Sequence, residues 1–129
     1  MALAYVVGEG FTTVADVGPN YTFDVSGSLD LPQETITGGL RFNSSAFTIS
    51  SVVAQIRAAG TSQYTVKIIS YDNTGANPVT HINQTVTLGA RTPLSLTIGT
   101  ASIGADRNIE MSLEQLSGTP AEDFSLTIS

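Results

Sequence analysis

The sequence predicts an all-β protein, a single antiparallel sandwich of about eight strands with a jelly-roll or immunoglobulin-like arrangement. Hydrophobic residues recur at every second position, which is typical of strands with one face in a core. Turn-forming residues separate these runs at intervals of about 8–12 residues. The length of 129 residues is that of one domain, so residues 1–129 are expected to form one sandwich.

Four runs carry the clearest alternation. They are residues 63–71, 94–98, 108–116 and 123–128. In the first run, Tyr64, Val66 and Ile68 share one side, and Thr65 and Lys67 share the other. Because successive side chains of a strand point to opposite faces, each run predicts a strand that is apolar inside and polar outside.

Five further strands are predicted from weaker patterns. They cover residues 3–7, 21–29, 39–42, 47–58 and 79–88. The run 47–58 is long, and a bulge near Ser50 and Ser51 would divide it into two strand pieces. A helix over 52–59 is the alternative, but Gly60 and an apparent hairpin follow directly and favour a strand.

The stretch 9–20 shows no strand pattern, and it is expected to form an N-terminal arm or a long loop. An arm would suit contact with a neighbouring molecule. The first ten residues have no basic region and too short an apolar run for a signal peptide. No stretch approaches the roughly 18–20 apolar residues of a membrane span. The chain is therefore expected to be made as a soluble cytoplasmic product.

Charge is scarce in this chain. Charged residues make up 12% of it, the net charge is -6, and only five residues are Lys or Arg. Such a chain repels phosphate backbones and anionic membranes, so neither nucleic acid nor membrane is expected as a partner. Hydroxyls replace the missing charges, with 17 Thr and 14 Ser. The absence of cysteine excludes disulfides and thiolate metal sites.

Catalytic machinery is not recognisable. His81 is the only imidazole, and its position in the alternation, opposite to Ile82 and Val86, predicts that it lies on the polar face. No G-x-S-x-G motif is present to supply an activated serine.

Paired carboxylates are equally unpromising. Glu110 and Glu114 share one side of a strand, but their Cα atoms would be about 13 Å apart, beyond the roughly 5–9.5 Å between glycosidase carboxyls. Glu122 and Asp123 are expected in a turn. We therefore predict that the chain is not an enzyme and has no catalytic residues.

No cofactor or metal site is predicted. The run from Asp72 to Asn77 has oxygen ligands but not the order of an EF-hand, and the same residue types are those of a tight turn. Adventitious calcium binding there is the alternative. Gly8-Glu9-Gly10 does not open a helix and so is no phosphate-binding loop.

Exposed aromatic rings could build a sugar-binding platform. The chain has no Trp and four Tyr, namely Tyr5, Tyr21, Tyr64 and Tyr71. Tyr71, at a strand end beside Asp72, is the best candidate for an exposed ring. Burial at the edge of the core is the favoured interpretation for all four.

The run 47–62, continuing through 64–68 and then 85–88, resembles small β-sandwich proteins on the outside of tailed bacteriophage particles. These include capsid cement (decoration) proteins, head fibres and short tail-fibre domains, and the similarity extends over residues 36–128. The resemblance implies a non-enzymatic virion-surface protein, often a homotrimer, whose partner is the major capsid protein or another virion protein. It carries no functional residues over to this chain.

The compactness of the chain favours a cement protein, because a fibre normally joins an attachment segment to a separate tip. The alternative is a receptor- or carbohydrate-binding domain of a tail or head fibre. In the favoured interpretation the chain stabilises the head by burying area against capsomers, through the stretch 9–20 and the Thr-rich strand edges.

Overall fold

The computed structural model describes residues 5–8, 10–12, 21–31, 33 and 35–129. Within them the chain forms twelve strands and no helix, which confirms the all-β prediction. The strands are β1 (Tyr5–Gly8), β2 (Gly10–Thr12), β3 (Tyr21–Ser28), β4 (Thr35–Asn43), β5 (Phe47–Thr48), β6 (Val52–Ala58), β7 (Gln63–Asp72), β8 (Val79–Val86), β9 (Leu94–Ser95), β10 (Ser102–Ile103), β11 (Arg107–Ser117) and β12 (Glu122–Ile128). In the described part of the chain, no helix is long and apolar enough to cross a membrane.

Two four-stranded antiparallel sheets form the body of the sandwich. The strand order is β4-β11-β7-β8 in the first sheet and β3-β12-β6-β9 in the second. Strands β5 and β10 form a short ladder, as do β1 and β2. An immunoglobulin domain keeps its first two strands in one sheet and its last two in the other. Here β3 and β4 lie in different sheets, as do β11 and β12, so the order is that of a jelly roll.

The long run 47–58 is divided as predicted. Its pieces are β5 and β6, and the three residues between them carry the chain from the β5–β10 ladder to the second sheet. The alternative helix over 52–59 is wrong, because Val52–Ala58 pairs with β12 on one side and β9 on the other. Ladder pairing across the whole run supplies partners that a helix would have to replace.

Several boundaries differ from the sequence prediction. The predicted strand 39–42 extends over Thr35–Asn43, and the predicted strand 79–88 ends at Val86. The run 94–98 is a strand only over Leu94–Ser95, although the amide of Leu96 still donates to the carbonyl of Val52 at 2.8 Å. The stretch 9–20 was expected to lack strands, but Gly10–Thr12 pairs with Tyr5–Gly8. The rest of the predicted arm, and the start of the predicted strand 3–7, lie outside the described residues.

A single hydrophobic core lies between the two sheets, and it consists of inward residues of both. Each fully buried Leu, Ile or Phe side chain stabilises the fold by about 1.5–3 kcal/mol relative to its exposed state. The largest fully buried side chains are Phe23, Leu29, Tyr64, Ile68, Ile82, Ile103, Ile109, Met111, Leu113, Phe124, Leu126 and Ile128. Their every-second-residue spacing in β7, β11 and β12 is the pattern on which the fold prediction depends.

Three connections that pass between the sheets meet at one end of the sandwich. They link β3 to β4, β6 to β7 and β11 to β12. The buried hydroxyl of Tyr64 joins two of them to β7, because it donates to the carbonyl of Leu29 at 3.1 Å and accepts from the amide of Ala121 at 2.8 Å. Buried backbone groups that leave a ladder need such partners.

Gln115 makes the second set of links at this end. Its Nε2 donates to Ser62 Oγ and to the carbonyl of Gly118, each at 2.8 Å. The backbone amide of Gln115 donates to the backbone carbonyl of Leu31 at 2.6 Å. Ser62 Oγ in turn donates to the carbonyl of Thr119 at 2.8 Å. We call Ser62, Tyr64 and Gln115 the crossover cluster.

The close approach of two of these connections predicts a cost for any side chain at Gly60. A Cβ atom there would meet the carbonyl oxygen of Thr119 and lie 2.6 Å from the carbonyl carbon of Pro120. Gly60→Ala should lower the free energy of unfolding by about 1–3 kcal/mol, as overpacking does. Gly89→Ala is the matched control, since its Cβ would find Thr92 at 3.5 Å. Equal urea-unfolding midpoints for the two variants would contradict this account.

Candidate functional sites

The structure places His81 inside the sandwich, so the prediction that it lies on the polar face is wrong. The cause is a β-bulge in β8. Ile68 pairs with Ile82, but Ile69 pairs with Thr80, which leaves His81 as the extra residue. A bulge interrupts the alternation of faces, and both His81 and Ile82 are therefore fully buried.

His81 takes part in a buried hydrogen-bond network. Its Nδ1 lies 2.8 Å from the carbonyl oxygen of Thr100, which can only accept, so Nδ1 carries the proton. Its Nε2 lies 2.7 Å from Ser70 Oγ. Arg107 Nε donates to the same Oγ at 2.9 Å, and the hydroxyl proton of Ser70 is therefore directed at Nε2.

A serine hydroxyl beside an imidazole is the start of a nucleophilic site. Here Ser70 and His81 are both fully buried, and Arg107 occupies the far side of the hydroxyl by donating also to the carbonyl of Ser70 at 2.8 Å. A substrate in solution does not reach this oxygen. The arrangement instead joins β7, β8, β11 and the segment before β10 through one set of polar contacts.

Burial lowers the pKa of His81 below its ordinary value, and the nearby positive charge of Arg107 lowers it further. The hydrogen bond to Thr100 acts in the opposite direction but does not reverse the shift. The neutral ring is therefore the form that the folded protein holds.

The sequence-predicted carboxylates do not converge. Glu110 and Glu114 lie half-buried on the outer face of β11, opposite Ile69 and Thr65 of β7. Across the part of the chain that the structure describes, no group of three or more His, Asp or Glu side chains is arranged to hold a metal ion.

The expectation that Glu122 and Asp123 occupy a turn is wrong, because they open β12. Asp123 has a φ of 57° at a break in register with β3, which is why the local sequence looks like a turn. Both carboxylates pair with Arg57, Glu122 through Nη2 at 2.8 Å and Asp123 through Nε. The hydrogen bond from Arg57 lowers the pKa of Asp123, and a hydrogen bond from the backbone amide of Gly27 at 2.6 Å lowers it further.

The run from Asp72 to Asn77 forms a turn, which is the interpretation that the sequence favoured. The Asp72 carboxylate accepts from the amides of Thr74 and Ala76, each at 2.9 Å, and from Asn77 Nδ2 at 2.6 Å. The hydroxyl of Thr74 donates to it as well, at 2.6 Å. These bonds lower the pKa of Asp72 well below its usual range. Its oxygens are thus engaged in holding the loop together.

The tyrosines mostly lie at the edge of the core, as favoured. Tyr64 is fully buried and Tyr21 half-buried, while the side chain of Tyr5 lies outside the described residues. Tyr71 is half-buried on the outer face of the first sheet. Register places it in one cross-strand row with Asn108 and with Phe42, which is 54% exposed. The sequence did not suggest Phe42, because it lies in a weakly patterned strand.

The outer face of the second sheet is mostly polar. One cross-strand row consists of Asp24, Ser125 and Gln55. The next row consists of Thr22, Thr127, Val53 and Ser95. No aromatic ring projects from this face in the described strands β3, β12, β6 and β9. A surface depression of about 280 Å³ lies beside these rows, and both Arg57 and Arg91 line it. They are far apart in sequence, so no local motif predicted that they line one site.

No family model and no curated protein matches the chain. Among solved structures, it is similar to chains of the infectious bursal disease virus Gt and Gx strains, at 8% identity over 99% of this chain and 36% of those chains, with TM-scores of 0.41 and 0.39. It is also similar to the CBM22-1–GH10 modules of Clostridium thermocellum xylanase 10B complexed with xylohexaose.

The xylanase match has 19% identity and a TM-score of 0.37, over 85% of this chain and 24% of that chain. The chain thus spans about a third or less of the chains it matches. Both kinds of neighbour are β-rich, and no bacteriophage family is matched at the level of sequence. At this similarity the neighbours assign no function.

The environment of His81 predicts a loss of stability in mild acid. Its folded-state pKa lies below its unfolded value of about 6.5, so the unfolded chain takes up the proton first as the pH falls. Stability should be fully present above about pH 6.5 and should decline from there down to the folded pKa. His81 is the only imidazole, and carboxylates titrate at lower pH.

Thermal unfolding between pH 7.5 and 5 checks this expectation. The melting temperature of the native protein should fall as the pH is lowered across this range. His81→Gln should show a flatter profile and, at pH 7.5, a lower free energy of unfolding by about 1–3 kcal/mol, because it disturbs a buried network. A native profile as flat as that of the variant would show that His81 is not held neutral.

Proposed function

We propose that this chain is a bacteriophage structural protein, a capsid cement or decoration protein that binds the exterior of the head and stabilises it. The observation that carries the proposal is the outer face of the second sheet, whose cross-strand rows consist mostly of Ser, Thr and Gln. Such a face offers many hydrogen bonds to another protein surface, and its hydroxyls and amides cost less to desolvate than charged groups. The jelly roll is a fold of viral capsid and lectin domains, which is support by analogy alone.

The absence of catalysis is part of the proposal. The one serine–imidazole pair, Ser70 with His81, is fully buried and occupied by Arg107. In the described residues, the two carboxylates beside Arg57 are both engaged in ion pairs with it. These arrangements support a protein that acts by contact.

Contact through a face is better supported than contact through the edge at β8. The outer edge of β8 is covered by the segment that follows β9, because the amide of Gly99 donates to the carbonyl of His81 at 2.7 Å. The amide of Thr97 also donates to Gln84 Oε1 at 2.7 Å. Coverage of an edge prevents strand addition there. In our proposal the second sheet meets the capsid, and homotrimers repeat that contact around the shell.

Co-sedimentation of the purified chain with empty phage capsids tests the proposal. The chain should be a trimer by light scattering and should bind saturably. Thr127→Arg places a bulky charge in the centre of the proposed face and should weaken binding at least about tenfold, or 1.4 kcal/mol. Asn83→Arg, on the exposed outer face of β8, is the control and should bind like the native chain. No capsid binding, or equal losses in both variants, would reject this function.

A second candidate function, a receptor- or carbohydrate-binding domain of a phage fibre, is favoured by one observation. Phe42 and Tyr71 flank Asn108 in a single row on the outer face of the first sheet. Two strand spacings separate the backbone positions of Phe42 and Tyr71 by about 10 Å. Aromatic side chains with a polar group between them are suited to stacking on sugar rings and binding their hydroxyls.

A glycan array tests this second function. If a glycan binds this row, Phe42→Ser and Tyr71→Ser should each lose most of the signal. Leu116→Ser is the control, because Leu116 is 48% exposed on the same sheet but outside the row. A native chain that binds no glycan, or a loss in the control as large as in the others, removes the candidate.

A further inference from the structure

The depression beside β6 is built from six residues of three segments. It lies between β6, the start of β12 and the loop before β9, and its lining is Gln55, Ile56, Arg57, Arg91, Asp123 and Ser125. It is open to solvent, with the Arg57 side chain 52% exposed, so it does not enclose a small molecule as most ligand pockets do. It suits a side chain that projects from another surface.

Arg57 is held in place on one wall. Its Nη2 donates to Glu122 at 2.8 Å and its Nε donates to Asp123, whose other oxygen accepts from the amide of Gly27 at 2.6 Å. An Arg restrained in this way loses little side-chain entropy when its remaining N–H groups meet a ligand. Its charge, however, is already engaged by Asp123 of the lining and by Glu122 outside it.

Arg91 supplies the unbalanced charge. Its side chain is exposed and makes no hydrogen bond or ion pair with the described residues. Its amide donates to the carbonyl of Ile56 at 2.8 Å, which fixes the residue against β6. Its φ is 52°, a left-handed conformation that Gly or Asn would adopt more easily. An unfavourable residue held at a surface site points to a use for its side chain.

The chemistry of the lining selects the ligand. Two of the five Lys and Arg residues of an acidic chain line the depression, together with Gln55 and Ser125. The charged residues of the lining are Arg57, Arg91 and Asp123, so its formal net charge is +1, and Arg91 is the guanidinium without an ion pair. This matches the single charge of a carboxylate, whereas a phosphate with two charges would be repelled about twice as strongly by Asp123 and by Glu122 outside the lining.

We propose that this depression receives the carboxylate of an acidic side chain on the partner protein, with Arg91 as its ion-pair partner and Arg57, Gln55 and Ser125 as hydrogen-bond donors. The inference rests on the proposed function, because it names the chemistry by which the second sheet recognises the capsid. Guanidinium–carboxylate pairs of this kind set orientation and specificity more than total affinity.

A titration without capsids tests the site by itself. The probe is N-acetylglutamate methylamide, and N-acetylglutamine methylamide at equal ionic strength is its uncharged counterpart. In ¹⁵N-correlated NMR spectra, saturable shifts should appear at the amides of Gln55, Arg91 and Ser125 with the glutamate probe alone. Arg91→Asn keeps a residue that tolerates the left-handed backbone and should weaken this binding at least tenfold. Lys67→Gln, which removes the same charge from the other sheet, should leave it unchanged.

The same variants are then tested by co-sedimentation with capsids. Arg91→Asn should weaken capsid binding at least tenfold, and Lys67→Gln should leave it unchanged. Shifts that are absent, unsaturable or retained in Arg91→Asn overturn the site even if the native chain binds capsids. Saturable shifts that need Arg91, with no capsid binding, keep the site and reject the function. A native trimer that Arg91→Asn converts to monomers would assign the depression to self-association and overturn the proposal.

Discussion

The crossover cluster is the constraint on which the rest of the structure depends. A jelly roll moves the chain between its sheets repeatedly, and each passage takes backbone groups out of a ladder and into a buried place. Tyr64 and Gln115 supply the missing partners for two such passages, through Leu29 and Leu31 between β3 and β4 and through Ala121 and Gly118 between β11 and β12. Because these contacts fix one sheet against the other at one end, they also fix the two outer faces on which the proposed contacts lie.

Local pattern was sufficient to predict the strands and insufficient to predict their order. Every-second-residue spacing identifies Val66 and Ile68 as core residues from their neighbours alone, and both are fully buried. Whether β3 and β4 share a sheet depends on pairing between residues far apart in sequence, which alternation does not encode. The choice between immunoglobulin and jelly-roll orders therefore required coordinates.

His81 shows where alternation fails. One extra residue in β8 turns two consecutive side chains inward, and the strand itself contains no Gly or Pro to mark the bulge. The inward imidazole is tolerated because Ser70 and Thr100 satisfy both ring nitrogens. That Arg57 and Arg91 line one site escaped prediction for a related reason, since a bridge between Ile56 and Ala90 brings their segments together.

The sandwich separates two kinds of surface on its opposite sides. The second sheet presents hydroxyls and amides beside the depression that Arg57 and Arg91 line, whereas the first presents Phe42 and Tyr71 in a single row. Because each outer face belongs to a different sheet, a surface bound through one leaves the other directed away from it. Attachment to a particle and recognition of a sugar are thus not rivals for the same residues. In our proposal, the domain attaches by its polar face and its aromatic row is directed outward.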